Sequence, residues 1–508
     1  MKKTNLLKTG LFALTTALLV ACGGGNDSST NKNSQPSVPQ NPSSDNKSST
    51  ITPSYPDYDG TEVQGVSETE ILIGNTAAST GAFAKVGIPF NQGLNAALKV
   101  YNDAGGFNGK TVKLKTYDDE FTADKGLTYT KKLVEEDKIF ALVGHFGTNT
   151  VGATLDYIKY EKGIPMVYAA TGISGLYNEE AKGYERAVMS VQPIYDAEGR
   201  VLLARALAST EGGYGLGGKK IGVISTKDDA GKGMLAGIKA EAKDLGVESK
   251  ITYVTTDAKS GTNHASAVNA LKMKQCDVII AATNQAPLQE ILQYMKDGGL
   301  TGVKIITSYA NANAADYAAF NANGDILNEE RELYTAAWLD INDATYFYAP
   351  DATNLVGTYL WTCYKGLATA LGLAGMYDLG VFGYSAEYWE VAENLAAYVL
   401  QDANEWANTA AFELSYNSYA LAGYIAGDMF TTGLKRVQEA ELELTWKNYI
   451  DVMEASPIDI LMGGELDYAN GKRYGITDLA LNKYDHTTAT LVLQSGLTSL
   501  KDVEANIK

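Results

Sequence analysis

Hydrophobic and polar positions divide this chain into three stretches of different pattern. Lys2 and Lys3 precede an apolar run, Leu11 to Val20, that is too short to span a bilayer and is followed by small residues, the arrangement of a secretory signal peptide. From residue 23 to about 60, Ser, Asn, Pro, Asp and Gly leave almost nothing to bury, so conformational entropy favours a disordered tether. Beyond it, short apolar β-branched runs alternate with helical periodicity, the signature of parallel α/β units. Strands are predicted at Ile71–Gly74, Val112–Thr116, Ile139–Val143 and Pro165–Tyr168, separated by helices Phe90–Tyr101, Asp124–Glu136 and Thr150–Glu161. The first helix should stop at Asp103-Ala104-Gly105-Gly106. A second series has strands Ile221–Ser225, Ile251–Val254, Val278–Ala281 and Lys304–Thr307, with helices Gly231–Leu245, His264–Lys274 and Leu288–Lys296. Two such series imply an α/β fold of two doubly wound parallel-sheet lobes. Ligands of open parallel sheets sit at the carboxyl ends of the strands, which makes the cleft between the lobes the expected site.

Composition narrows the function classes. Hydrophobics are 45% of 508 residues, enough for a large core, and no segment after residue 22 is apolar enough to cross a bilayer. The net charge of −18 argues against nucleic acid or an anionic membrane face as partner. Besides Cys22 the chain has only Cys276 and Cys363, which are free to pair but make no disulfide framework. The three His, at 145, 264 and 486, are not spaced for a metal, and no Gly-x-Ser-x-Gly elbow occurs. Gly213-Tyr214-Gly215-Leu216-Gly217-Gly218 fits a dinucleotide pattern but precedes its strand instead of following one, and reads as a flexible loop. No enzyme activity, cofactor or metal is expected.

Leu19-Val20-Ala21-Cys22 resembles the lipobox of bacterial lipoproteins, in which the Cys is acylated and becomes the first mature residue. An acyl-glycerol anchor would hold the chain on the extracytoplasmic face of the membrane. A longer resemblance covers nearly all of the mature chain. Gly65 to Gly74, Ser79-Thr80-Gly81, Asn102 to Lys110, Tyr117-Asp118-Asp119 and Leu133 to Asp137 are similar to the opening of the branched-chain amino acid type of periplasmic binding protein. Leu142 to Thr150, Gly163 to Thr171, Lys220 to Ile224, Asp228 to Gly233 and Asp467 to Arg473, matching the family's late hairpin, continue it in order.

The resemblance implies a type I periplasmic-binding fold, two lobes joined by a three-stranded hinge, closing on a small molecule and docking on an ABC permease with its ATPase subunits. Residues 1–21 would be the signal peptide, 22–64 the lipidated Cys and tether, and 65–508 the ligand-binding part. Its first lobe would comprise about 65–193 plus 337–440, and its second about 194–336 plus 441–508, as a monomer. By motif, Thr148, Asn149 and Thr150 after the third strand, and Ala169, Ala170 and Thr171 after the fourth, would hold a ligand carboxylate through helix-terminal amides and hydroxyls. An ordinary N-cap role for these Thr is the alternative. Ser79, Thr80 and Phe83 would cover the site, and Asn284 would contribute from the second lobe. Asp118-Asp119-Glu120 matches a position that is usually structural, and His145 reads as a hydrogen-bonded wall beside the site.

The sequence departs from the amino-acid-binding members where they hold the α-ammonium group. Tyr309 stands where they carry Glu, and Val86 and Ala230 where they carry aromatics. A neutral phenol does not replace a carboxylate as partner of a desolvated ammonium. Amides, carboxylic acids, aromatic acids and short peptides therefore stay open alongside amino acids. Residues from about 340 to 410 are longer than the family needs and rich in Tyr and Trp, and read either as a packed helical insertion or as an aromatic lid. Helical spacing marks Ala392–Leu400 and Leu421–Phe430. The same fold also serves ligand-sensing subunits that report to a membrane receptor or kinase, and sequence does not separate the two uses.

Overall fold

The computed structural model describes Tyr58, Gly60, residues 64–259, 261–322, 324–340 and 385–399, Leu414, and residues 417–508. The signal peptide, Cys22, nearly all of the tether, Cys363 and most of the aromatic segment, including Tyr346, Trp361, Tyr384 and Trp406, lie outside the described residues.

The first sheet contains β1 (Glu70–Thr76), β2 (Thr111–Tyr117), β3 (Leu142–Val143), β4 (Met166–Val167) and β5 (Val188–Met189), all parallel in the order β2-β1-β3-β4-β5. Helices α1 (Ala84–Asp103), α2 (Ala123–Glu135) and α3 (Thr148–Asp156) connect the first four. The predicted start of α1 at Phe90 is six residues late, because Pro89 reads as a helix entry and is instead buried inside the first turns. Its end matches: Gly105 and Gly106 take positive φ just beyond the last turn.

Helix α4 (Tyr195–Leu207) leads into the second sheet, where β6 (Ile221–Thr226), β7 (Ile251–Thr256), β8 (Val278–Ala282), β9 (Val303–Thr307) and β10 (Arg331–Ala337) run parallel. Helices α5 (Asp229–Asp244), α6 (Ala265–Met273), α7 (Gln285–Asp297) and α8 (Ala314–Ala322) link them. Every residue of β6 and β8 is buried, as helix cover on both faces of a parallel sheet requires. Cys276 is buried beneath this sheet, beside Gly222. Two late antiparallel strands, β13 (Leu479–Asp485) and β14 (Thr490–Thr498), extend it to the order β14-β13-β10-β9-β8-β6-β7.

Helix α9 (Ala386–Val399) buries Tyr388 and Trp389 and packs on α1, as does the long α10 (Ser418–Glu439). Helix α11 (Trp446–Glu454) also belongs to the first lobe. Its Tyr449 ring lies 6.0 Å from Phe140 and 5.5 Å from Phe430, and Arg186 pairs with its Asp451 and Glu454. After the short hairpin β11 (Ile458–Ile460) and β12 (Gly464–Leu466), the chain joins the second sheet only at β13, later than the boundary at 441 expected from sequence. That last passage runs beside the first, with Ile476 N donating to Val191 O at 2.8 Å. Trp338, just beyond β10, packs on Tyr168 of the first lobe.

Candidate functional site

The loops after β3 and β4 are laced together before they meet any ligand. Ala170 N donates to His145 O (2.8 Å) and Gly147 N to Ala170 O (3.3 Å). This brings the Thr148 and Thr171 hydroxyls within 2.9 Å of each other, at 6% and 3% exposure. Thr148 opens α3, whose N-cap is Gly147, a residue with φ 98° and no side chain to satisfy the first amides. Those amides carry the positive end of the helix dipole and suit an anion. Neither Thr caps the helix, so the capping alternative falls away for the pair.

The other expected contacts separate into lining and scaffold. Thr150 turns away and donates to Asp119 Oδ2 (2.7 Å), as does Thr76 from β1 (2.7 Å), while Phe121 N donates to Asp119 Oδ1 (2.8 Å). Burial holds the Asp119 carboxyl above its ordinary range in spite of these bonds. It is a brace between strand ends, as expected for the acidic cluster. His145 is equally structural: Nδ1 accepts from Thr76 N (3.2 Å), Nε2 lies 3.0 Å from the Thr130 hydroxyl, and burial pulls its pKa down to about 3. Asn149 is exposed and donates to Phe121 O (3.3 Å). Ser79 is exposed with its N–H on Asp118, whose other oxygen accepts from Thr80. Phe83 stacks on Phe121 at 3.8 Å, and Gly147 leaves the room that the Phe121 ring occupies. Ala169 and Ala170 are buried backbone positions of the second loop.

From the second lobe, Tyr309 reaches across. Its hydroxyl donates to Pro193 O (2.8 Å), and a Cβ on Gly172 would lie 2.7 Å from it, so this glycine admits the phenol. Tyr309 N donates to Glu198 Oε1 (2.7 Å) and Ser308 Oγ to Glu198 Oε2 (2.9 Å). Burial raises the Glu198 carboxyl to about 8. Asn284 precedes α7, is buried, and has no hydrogen-bond partner for its Oδ1 among the described residues. Val86 and Ala230 are buried.

Tyr195 is the contact that sequence reading missed. It opens α4, is 3% exposed, lies beside the Thr148 and Thr171 hydroxyls, and stacks on Tyr309 with ring centroids 6.2 Å apart. Burial raises its pKa. The available signal was the Pro193-Ile194-Tyr195 entry into an apolar helical run, Val201 to Ala206. These loops thus bring a buried group of hydroxyls and phenols together beside a helix N-terminus.

A family model described as periplasmic binding protein matches residues 70–354, more than half of the chain. The chain belongs to the periplasmic binding protein family. An amino acid binding protein of Pseudomonas aeruginosa is 25% identical over 241 residues, 46% of this chain and 59% of that protein, so the chain spans about three fifths of the relative's length. Among solved structures, a branched-chain amino acid ABC transporter protein of Thermus thermophilus with bound valine superimposes with TM-score 0.61 at 13% identity, covering 87% of this chain and 100% of that one. A solute-binding protein of R. palustris in complex with benzoate gives TM-score 0.59 at 16% identity, covering 85% and 98%. At these identities the likeness is one of fold. The two sheet orders and three inter-lobe passages are those of a periplasmic binding protein of type I, as the motif order led one to expect.

Proposed function

We propose that this chain is an extracytoplasmic solute-binding lipoprotein, anchored through acylated Cys22, that encloses a small amino-acid-like or carboxylate ligand between its lobes and delivers it to an ABC importer. The observation that carries the reading is the buried Thr148–Thr171 hydroxyl pair at the uncapped start of α3, where helix dipole and hydroxyl donors meet, a combination that suits a carboxylate. The family's relatives support it: one is called an amino acid binding protein, and two of similar fold were solved with valine and with benzoate, both carboxylates. Delivery would use the permease and ATPase partners of such importers.

The direct test is mass spectrometry of the small molecule that copurifies with the mature chain, followed by thermal-shift titration across amino acids, amides, organic acids and short peptides. A carboxylate should raise the melting temperature in a saturable way. If only compounds without a carboxylate bind, the reading fails. For the anchor, radiolabelled palmitate should be incorporated by the wild type and not by Cys22→Ser.

A further inference from the structure

We propose that the solute of this cleft is an organic monocarboxylate whose α-carbon bears no ammonium group, such as a 2-oxo, 2-hydroxy or aryl acid. The proposal rests on the carboxylate-capture reading above and adds the chemistry of the ligand's other substituents.

At the carboxylate end, Thr148, Thr171 and Tyr195 present three hydroxyls beside the free amides of α3. An ammonium on the adjacent carbon would need a carboxylate close by, since removing a cation from water is costly unless a fixed negative charge offsets it. The side chain that meets this region from the second lobe is Tyr309. It is a buried phenol that burial keeps neutral, with its proton already directed at Pro193 O.

Four acids at or near the lobe junction, among the described residues, already have protein partners. Glu198 accepts from Ser308 Oγ and Tyr309 N. Asp196, the neighbour of Tyr195, accepts from Ser174 Oγ. Asp228 caps α5, taking Gly231 N at 3.0 Å and Thr226 Oγ1 at 2.7 Å. Asp316 is held between Lys85 and Tyr419.

Two neutral acceptors of the second lobe are left over. Among the described residues the amide oxygens of Asn284 and Asn311 are buried and without a hydrogen-bond partner. Asn311 is fixed there by its Nδ2, which donates to Thr283 O and Thr307 Oγ1, both at 2.8 Å. Two amide oxygens accept well from a hydroxyl or a carboxamide but supply no net charge against an ammonium. Among the described residues an α-amino acid would therefore lose its hydration at one end without an unpartnered carboxylate to offset it, whereas its oxo or hydroxy analogue keeps the same carboxylate contacts without that loss.

The experiment is calorimetric titration of the mature chain, freed of copurified ligand by unfolding and refolding, with pairs differing only at the α-carbon. Suitable pairs are leucine against 4-methyl-2-oxopentanoate, and phenylalanine against phenylpyruvate, with benzoate as the aryl acid. In the pairs that bind, the oxo acid should have a Kd at least tenfold below that of its amino acid. Thr171→Val should weaken the oxo acid several-fold while circular dichroism stays unchanged, which places the binding in this cleft. An amino acid that binds as tightly as its oxo acid overturns the proposal and leaves carboxylate capture standing. If none of these carboxylates binds, both the proposal and the reading beneath it fall.

Discussion

The Thr148 and Thr171 hydroxyls satisfy one another across two loops. Replacing both with Val keeps volume nearly constant and removes the donors. Carboxylate affinity should fall by about 1–3 kcal/mol if each bonds a buried charged group. Unchanged affinity in a folded double variant would exclude them as contacts. Glu198 acts one step behind, by fixing Ser308 and Tyr309. Its folded pKa, about 8, is raised from 4.5 by burial, against the hydrogen bonds from Tyr309 N and Ser308 Oγ. The folded chain therefore holds a proton that the unfolded chain releases. The stability linked to it is complete below about pH 4.5 and is lost as pH rises through about 8. Glu198→Gln cannot titrate, so its melting temperature should decline less than the wild type's between pH 5 and pH 8.5. Equal slopes by calorimetry would show that Glu198 is not the group responsible. The Thr pair was legible in the sequence because a motif carries it. Tyr195 and Glu198 were not, since their partners lie far along the chain: the Glu198 to Tyr309 bond spans 111 residues.

At the level of elements, each lobe is closed by a helix pair in backbone contact. A Cβ on Gly423 of α10 would lie 1.9 Å from Phe90 O of α1, and one on Gly93 of α1 the same distance from Ala420 O. In the second lobe, a Cβ on Gly237 of α5 would lie 1.9 Å from Asp196 O of α4, and one on Gly199 of α4 2.1 Å from Met234 O of α5. In an isolated helix, Gly to Ala gains roughly 0.5–1 kcal/mol. Here the methyl group collides with backbone, which cannot rotate aside, and overpacking of this kind costs about 1–3 kcal/mol. Gly423→Ala should thus lower stability in urea melts, the reverse of its intrinsic propensity; a stabilised variant would mean the helices separate freely. Hydrophobic periodicity identified the long β/α repeats because each apolar face is buried against its own sheet. It passed over β5, which is two residues long, and over α4, α8 and α11, whose burial depends on what they meet after a hinge passage. Glycines in mid-helix read as weak points until the facing backbone is seen.

Taken whole, the molecule shows its lobes drawn together, and the contact that joins them away from the ligand loops is specific. Lys85 of α1 lies 2.8 Å from Asp316 of α8, and the Tyr419 hydroxyl of α10 donates to the same carboxylate at 3.2 Å. Asp316, on a helix of the second lobe, is thus gripped from two helices of the first. The Lys85 side chain is half exposed, and an exposed pair of this kind contributes at most about 1 kcal/mol. A contribution made only in the closed form still matters, because apparent affinity scales with the fraction of molecules competent to hold the ligand. Removing about 1 kcal/mol from the closed state alone shifts the opening equilibrium roughly fivefold. Asp316→Ala should therefore raise the ligand's dissociation rate and Kd a few-fold while leaving urea stability almost unchanged, since neither lobe's core includes the carboxylate. Small-angle scattering of the unliganded variant should show a larger radius of gyration than the wild type. Equal dissociation rates and equal radii would mean that closure is set by the Tyr309 and Tyr195 contacts at the hinge, with Asp316 a bystander on the rim.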